Sequence, residues 1–299
     1  MMTAEHPLAH VFSEADLEAL KRGKCPRTGR VADEYLARLL TDPAKADYLL
    51  LSLGRWLEHA ATHGEHVRGE YESRLRSSLT KLSRFSQTVG ELMAAYFLEK
   101  QLGFHLRCVP PEQGVRTPDF EIRNSELTLI VEVKTISGGL AGSPKPVSIG
   151  PLGAEPVPGG LLARRKALRQ AVDKATQQLY HGKANLILIA DWYRPHVFED
   201  DVIDALRGTP ELAWRVGPDG PVGDPSSIRR GDGELKRNLN TRVSAVGTLA
   251  WVGCPDCKAF FVHNAHAKRP IPYTTFDPWP QLVWNDARTG LVWRNKEER

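Results

Sequence analysis

The chain has 299 residues, of which 41% are hydrophobic and 25% are charged, the composition of an ordinary soluble globular protein. No apolar run reaches the ~18 residues of a membrane span, no secretory signal opens the chain, and four cysteines are too few for a disulfide scaffold, so we expect a cytoplasmic protein with no membrane partner. The formal net charge of +4 allows nucleic-acid binding without indicating it.

The spacing of apolar residues predicts a mixed α/β chain. Tyr35, Leu36, Leu39 and Leu40 recur at helical spacing, and Pro43 marks a stop. Further helices are predicted over residues 48–61, 67–85, 86–102, 161–181 and 199–206. Strands are predicted over residues 104–109, 119–123, 127–136, 185–192, 243–252 and 259–263. Residues 137–160, rich in Gly, Pro and Ser, read as a long loop of the kind that is often functional.

These elements divide the chain into two predicted parts. Residues 1–85 form a helical N-terminal region, whose last stretch carries Arg74 among other cations. Those cations indicate either a solvated helix face or an arm that faces nucleic acid. Residues 86–299 form an α/β domain, with a core over residues 86–192 and a β-containing C-terminal extension over residues 209–299. The core has the order helix, three strands, helix, strand.

Two charged residues interrupt the apolar strand at residues 127–136, and a third acid precedes the neighbouring strand. With Ser125 and Glu126 as the central residues of a hairpin turn, Asp119 lies opposite Glu132, with Cβ atoms ~5 Å apart. Lys134, two residues further on, shares the face of Glu132. Adjacent carboxylates repel unless a cation separates them, and oxygen ligands suit Mg²⁺. The alternative is a simple Glu–Lys ion pair on a solvated sheet face.

Two helices offer supporting residues. Glu91 falls on an apolar stripe with Ala95 and Leu98, which predicts a buried carboxylate that is an auxiliary metal ligand. The alternative interpretation of Glu91 is an acidic residue at the helix N-terminus, where the helix dipole favours a negative charge. Gln178 continues the inward stripe that contains Ala175, and we expect it to orient a water molecule or a phosphate. The alternative for this amide is a hydrogen bond to the backbone.

A group of cations near the start of the predicted helix 161–181 is a candidate DNA-contacting edge. Arg164, Arg165 and Lys166 oppose the helix dipole there, and a phosphate bound at that end would relieve the conflict. Lys145 in the preceding loop belongs to the same edge. The alternative is ordinary solvated charge.

This combination resembles the PD-(D/E)XK, or restriction-endonuclease-like, nuclease superfamily. The resemblance lies in Glu91, Pro118-Asp119, Glu132-Val133-Lys134 and Gln178, and it spans about a third of the chain. It implies a restriction-endonuclease-like core in which Asp119 and Glu132 bind Mg²⁺ or Mn²⁺ and Lys134 is the catalytic lysine. Gly90 stands where one branch of the superfamily has a histidine.

The resemblance also implies an activity. The expected reaction is hydrolysis of DNA, with RNA as an alternative substrate, in restriction, repair, recombination or defence against mobile elements and phages. It also allows a homodimer that cuts both strands. The rival hypotheses are a catalytically inactive nucleic-acid-binding module on the same fold and a protein–protein adaptor.

A second motif lies in the C-terminal extension. Cys254 and Cys257 have the spacing of a metal-binding pair, and His263 and His266 follow, so a zinc site is one interpretation. The apolar flanks favour a hairpin with Pro255-Asp256 as its turn and reduced cysteines.

Overall fold

The computed structural model of the chain describes residues 8–26, 28–42, 47–110, 116–136, 158–192, 199–208, 210–217, 220–229, 233–235, 240–253, 255–284 and 291–296. Within these ranges the protein is of mixed α/β class. Its helices are α1 (Glu14–Lys21), α2 (Glu34–Thr41), α3 (Asp47–Ala61), α4 (Glu65–Ser77), α5 (Leu82–Tyr96), α6 (Pro158–Thr176) and α7 (Glu199–Arg207). A π-helical segment, Phe97–Gln101, continues α5.

The strands form an eight-stranded sheet and a separate two-stranded pair within the described ranges. The strands are β1 (His105–Cys108), β2 (Phe120–Arg123), β3 (Thr128–Thr135), β4 (Ala184–Asp191), β5 (Pro210–Gly217), β6 (Gly220–Arg229), β7 (Ala245–Trp251), β8 (Cys257–His263), β9 (Gln281–Trp284) and β10 (Leu291–Arg294). The order in the large sheet is β1-β2-β3-β4-β7-β8-β9-β10, while β5 pairs with β6.

The large sheet mixes both pairing directions. β3, β4 and β7 are parallel to one another, and β8 is parallel to β9. The pairs β1–β2, β2–β3, β7–β8 and β9–β10 are antiparallel. The central parallel strands are buried on both faces, as parallel strands usually are.

Helices cover the two faces of this sheet, and successive residues of β3 show which face is which. Val131 and Val133 pack into the hydrophobic cluster that contains α5 and the N-terminal helices. Ile130 belongs to the second cluster, together with α6 and α7. Because side chains alternate along a strand, Glu132 and Lys134 lie on the α6 side.

The N-terminal helices share one continuous core with the sheet. Leu36 of α2, Trp56 of α3 and Phe85 of α5 are buried in the cluster that also holds Val131 of β3. The predicted division after residue 85 falls inside α5, and the two-part organisation remains a prediction. Among the described residues, no helix is both long and apolar enough to cross a bilayer.

Most predicted elements have a counterpart. The helix at residues 48–61 is α3, the acidic helix is α7, and the strands of the core are β1 to β4. The charged stretch 67–85 is two helices, because α4 ends at Ser77 and α5 begins at Leu82. The predicted loop at 137–160 lies outside the described residues up to 157, and Pro158 begins α6. Strands β5, β6, β9 and β10 were not predicted.

The cysteine motif lies in a hairpin. β7 and β8 are antiparallel, with Trp251 facing Cys257 at the turn end and Ala245 facing His263 at the other end. Cys257 and His263 are the two ends of the seven-residue strand β8, so they lie about 20 Å apart at ~3.3 Å per residue. One zinc ion holds its ligands at ~2.0–2.3 Å, so these two residues cannot share an ion. Cys254 lies outside the described residues.

Candidate active site

The turn of the β2–β3 hairpin has the predicted central residues, Ser125 and Glu126. The backbone N–H of Asn124 donates to the carbonyl of Leu127 at 3.0 Å. The Asn124 side-chain oxygen accepts from the N–H groups of Glu126 at 3.0 Å and Leu127 at 2.8 Å. Such a side-chain bond two and three residues ahead fixes a tight turn and therefore the register of both strands.

The register places the two predicted carboxylates across from each other. Phe120 faces Val131, so Asp119, one residue before β2, continues the ladder opposite Glu132 as predicted. Asp119 Oδ2 accepts a 2.8 Å hydrogen bond from the N–H of Val133. This bond leaves Asp119 Oδ1 as the carboxylate oxygen that can reach another partner.

Glu132 is fully buried in apolar surroundings. Its exposed fraction is 0%, and the strand neighbour that faces it is Ile187. One oxygen, Oε1, contacts the ammonium of Lys134, whereas Oε2 is buried and makes no hydrogen bond of good geometry. A buried ionised oxygen without a partner is costly, and an ion bound there is one of the few arrangements that remove the cost.

Lys134 links this carboxylate to α6. Its ammonium also donates to Gln178 Oε1 at 2.9 Å, and Gln178 Nε2 donates to the Thr117 carbonyl at 3.1 Å. Gln178 lies just after the end of α6, and its backbone N–H bonds to the carbonyl of Ala175 at 2.9 Å. The structure thus places Gln178 beside Lys134, and it also shows the alternative predicted for this amide, a hydrogen bond to the backbone. The amide bridges the segment before Asp119 to Lys134.

Glu91 is buried near the same site, but it is paired. Arg74 of α4 holds both carboxylate oxygens, with Nη1–Oε2 at 2.7 Å and Nη2–Oε1 at 2.8 Å. Gln87 Nε2 donates to Glu91 Oε1 at 3.1 Å and to the Val133 carbonyl at 2.8 Å. A two-point arginine pair of this kind is strong. The carboxylate predicted as an auxiliary ligand therefore has a cationic partner already.

The electrostatics of the site favour a proton or another cation between the carboxylates. Burial raises the pKa of Asp119 well above its usual range, and the charges of Glu91 and Glu132 raise it further. Burial also raises the pKa of Glu132 to about 7, although Lys134 acts in the opposite direction. Perturbed carboxylates of this kind are typical of functional sites.

The predicted DNA-contacting cations have different environments. α6 begins at Pro158, so Arg165 lies two turns into the helix, too far from its N-terminus to oppose the dipole there. Arg165 is mostly buried and pairs with α7, through Asp204 at 2.6 Å and Asp201 at 3.5 Å. In this structure the partners of Arg165 are therefore two carboxylates of α7, in place of the DNA contact expected from the sequence. Lys166 is exposed.

Two of the predicted contacts lie beyond the described part of the chain. These are Lys145 and the side chain of Arg164. Their contribution to a DNA-binding edge remains a prediction, together with that of Lys166.

Two residues of the site were missed by sequence reasoning. Arg74 belongs to a different helix from Glu91, and nothing in their spacing of 17 residues indicates a contact. Gln87 is four residues before Glu91 on α5, so helical spacing could have identified it. Both act on Glu91 and not directly on Asp119 or Glu132.

Comparison with known proteins adds no relative. A scan against protein-family models, a search of curated proteins and a search of solved structures each found no match to this chain.

Proposed function

We propose that this protein is a metal-dependent nuclease that hydrolyses DNA phosphodiester bonds on a restriction-endonuclease-like core. One observation carries the proposal. Glu132 Oε2 is a buried carboxylate oxygen that makes no hydrogen bond of good geometry, next to a lysine and opposite a second carboxylate, Asp119. Asp119 is itself buried, and burial together with the charges of Glu91 and Glu132 raises its pKa, so a cation between the two carboxylates would be stabilised.

The order of elements supports the same reading of the core. α5, the strands β1 to β3, α6 and β4 follow one another in the order that the resemblance implies. Asp119 and Glu132 lie where β2 and β3 begin to part, with helices α5 and α6 on opposite faces.

The available donor atoms suit Mg²⁺ or Mn²⁺. Asp119 and Glu132 present carboxylate oxygens, and these ions are typically held by one or two carboxylates with water and substrate phosphate. When bound, such an ion supplies a water molecule of lowered pKa and neutralises charge on the phosphate.

Lys134 is the residue that acts on the transition state. An ammonium has three donors, and here two of them are directed to Glu132 and Gln178. The third can donate to a phosphate oxygen, because 19% of the side chain is exposed. Gln178 positions the ammonium, and the bond from Gln178 to Thr117 ties that position to the segment before Asp119.

The ion pair of Arg74 and Glu91 can supply a phosphate-binding cation and a further metal ligand when the two residues separate. Arg74 is 37% exposed, so a DNA phosphate can compete with Glu91 for its guanidinium. A phosphate that draws Arg74 away frees an oxygen of Glu91, which can then serve as the auxiliary ligand predicted from the sequence. The proposal includes a cytoplasmic location, where the substrate is present.

Incubation with DNA tests this function. The purified protein is mixed with linear duplex, single-stranded and supercoiled DNA in Mg²⁺, Mn²⁺ or EDTA, alongside Asp119→Ala. We expect cutting of at least one substrate that needs the metal and is lost in the variant. Cutting that persists in Asp119→Ala, or in EDTA, contradicts the assignment of the site.

A further inference from the structure

A second group of metal-ligand side chains lies away from the carboxylate site. Within the described residues, one set of three His, Cys, Asp or Glu side chains has all its ligand atoms within 4.8 Å of one another: His59, His63 and Glu99. Glu99 follows Glu91 by eight residues on the same helical stretch, so these two carboxylate residues are roughly 12 Å apart along the axis.

Two helical segments bring these three residues together. His59 lies in the last turn of α3, and the turn bonds His63 N–Ala60 O and Gly64 N–Ala61 O continue the helical path at 3.1 and 2.9 Å. Side chains four residues apart therefore remain on one face. Glu99 belongs to the π-helical segment after α5, a distortion that is frequent at functional sites.

The donor atoms converge on one point. Glu99 Oε2 lies 2.8 Å from His59 Nε2 and 2.7 Å from His63 Nε2. Zn²⁺ with bonds of ~2.0–2.1 Å needs tetrahedral donors about 3.3 Å apart, so each nitrogen would move away from the Glu99 oxygen by about half an ångström. The two nitrogens themselves lie within 4.8 Å of each other. The other oxygen of Glu99 accepts from the N–H of Leu106 at 3.0 Å, which fixes the carboxylate orientation.

The hydrogen bonding of His59 gives an independent reason to expect a ligand. The His59 side chain is 4% exposed, yet neither ring nitrogen makes a hydrogen bond of good geometry. Buried polar atoms are normally satisfied, and an ion is one of the accepted reasons for an exception. Its Nε2 lies 2.8 Å from the Glu99 oxygen that Nε2 of His63 also contacts.

We propose that His59, His63 and Glu99 form a Zn²⁺ site that ties α3 to the π-helical segment. Two imidazole nitrogens and one carboxylate oxygen favour Zn²⁺ over Mg²⁺ or Ca²⁺, which prefer oxygen alone. Three protein ligands leave a fourth position, which water or a small anion can occupy because His63 is 25% exposed. The bound ion stabilises the contact between the N-terminal helices and the sheet domain.

Titration of Zn²⁺ into chelator-treated full-length protein tests this proposal. Excess Mg²⁺ is present throughout, so that the oxygen-rich carboxylate site does not take up zinc. We expect one zinc per chain, a rise in melting temperature, and the visible absorption of a four-coordinate ion when Co²⁺ replaces zinc. His63→Gln and Glu99→Gln each should weaken binding by at least about 100-fold and remove the rise in melting temperature.

Two control variants make the result specific. His66→Gln removes a nearby exposed histidine that is outside the cluster, and Asp119→Ala removes the carboxylate site. Both should bind zinc like the unaltered protein. The proposal is overturned if His63→Gln, shown by circular dichroism to be folded, binds zinc unchanged, or if Asp119→Ala abolishes zinc binding.

Discussion

Replacement of Glu132 by glutamine should make the metal-free protein more stable while it abolishes cleavage. Burial raises the pKa of Glu132 to about 7 in the folded protein, against an ordinary value of 4.5. Between these values the folded state binds more protons than the unfolded state, so the free energy of unfolding falls as pH rises through this window. Glutamine has the shape of the protonated acid and no charge to desolvate.

The magnitude follows from the pKa difference. A gap of about 2.5 pKa units at ~1.4 kcal/mol each gives up to about 3 kcal/mol at about pH 8, and below about 1 kcal/mol at about pH 5. The favourable contact with Lys134 is already contained in this difference, because it lowers the pKa that burial has raised. A gain of this size is large compared with typical substitutions.

Urea unfolding in EDTA measures the effect. Glu132→Gln and the unaltered protein are compared at both pH values, with Glu121→Gln as a matched control. Glu121 lies on β2 and pairs near the surface with Arg107 at 3.1 Å, so its replacement should change stability by less than about 1 kcal/mol. If Glu132→Gln is no more stable than the unaltered protein at the higher pH, the ionised carboxylate of Glu132 does not destabilise the folded protein, and the reasoning is refuted.

Three further predictions concern other parts of the molecule. Lys134→Met should retain Mn²⁺ binding by calorimetry and lose roughly 10²-fold or more in cleavage rate, because the role we propose for the ammonium is to stabilise the transition state; equal loss of binding and cleavage would contradict that role. Gly90→Ala should lower the free energy of unfolding by about 1–3 kcal/mol in urea, since the new Cβ would lie 2.5 Å from the Thr135 methyl; Gly69→Ala, with open space around it, should stabilise by up to about 1 kcal/mol. Burial lowers the pKa of His263 to about 4, so the stability that the buried neutral imidazole contributes is lost as pH falls from about 6.5 towards 4. His263→Gln should therefore make the melting temperature fall less steeply over that range, and an unchanged slope would refute the role of His263.

The hairpin of the site could be predicted because its signals are local. Asn124 is a turn-forming residue, and the apolar pattern of β3 allows one register only, since a slip of one residue would move Glu132 to the other face. Gln178 was found by helical spacing, although α6 ends two residues earlier. The apolar stripe of α6 that contains Ala175 faces the sheet, and the hydrogen bond from the Gln178 N–H to the Ala175 carbonyl keeps Gln178 on that side.

The partners of Glu91 could not be predicted, because they depend on how separate helices pack. Arg74 reaches Glu91 only because α4 packs on α5, and no spacing rule relates residues of two helices. The same holds for the pair formed by Arg165 and Asp204, which joins α6 to α7. In both cases a cation that the sequence suggests is solvated has a buried carboxylate partner.

The start of α6 and the strands β6 and β9 were not predicted, because the local preferences of their residues indicate loops. Pro158 and the two glycines that follow read as loop, yet proline is well suited to the first turn of a helix. The strand β6 has the sequence of a turn-rich segment, and its structure comes from antiparallel pairing with β5. β9 is only four residues long and lies beside β8, so its pairing decides its conformation.

The most direct measurement of the central claim is the rate at which Asp119→Ala and Glu121→Ala cut the preferred DNA in Mn²⁺. Both variants remove one carboxylate from the same stretch of chain, and any contaminating nuclease would be present equally in both preparations. The account predicts that Glu121→Ala cuts at close to the unaltered rate, and that Asp119→Ala is slower by roughly 10³-fold or more. Equal rates for the two variants would show that Asp119 and Glu132 do not hold the metal of a nuclease.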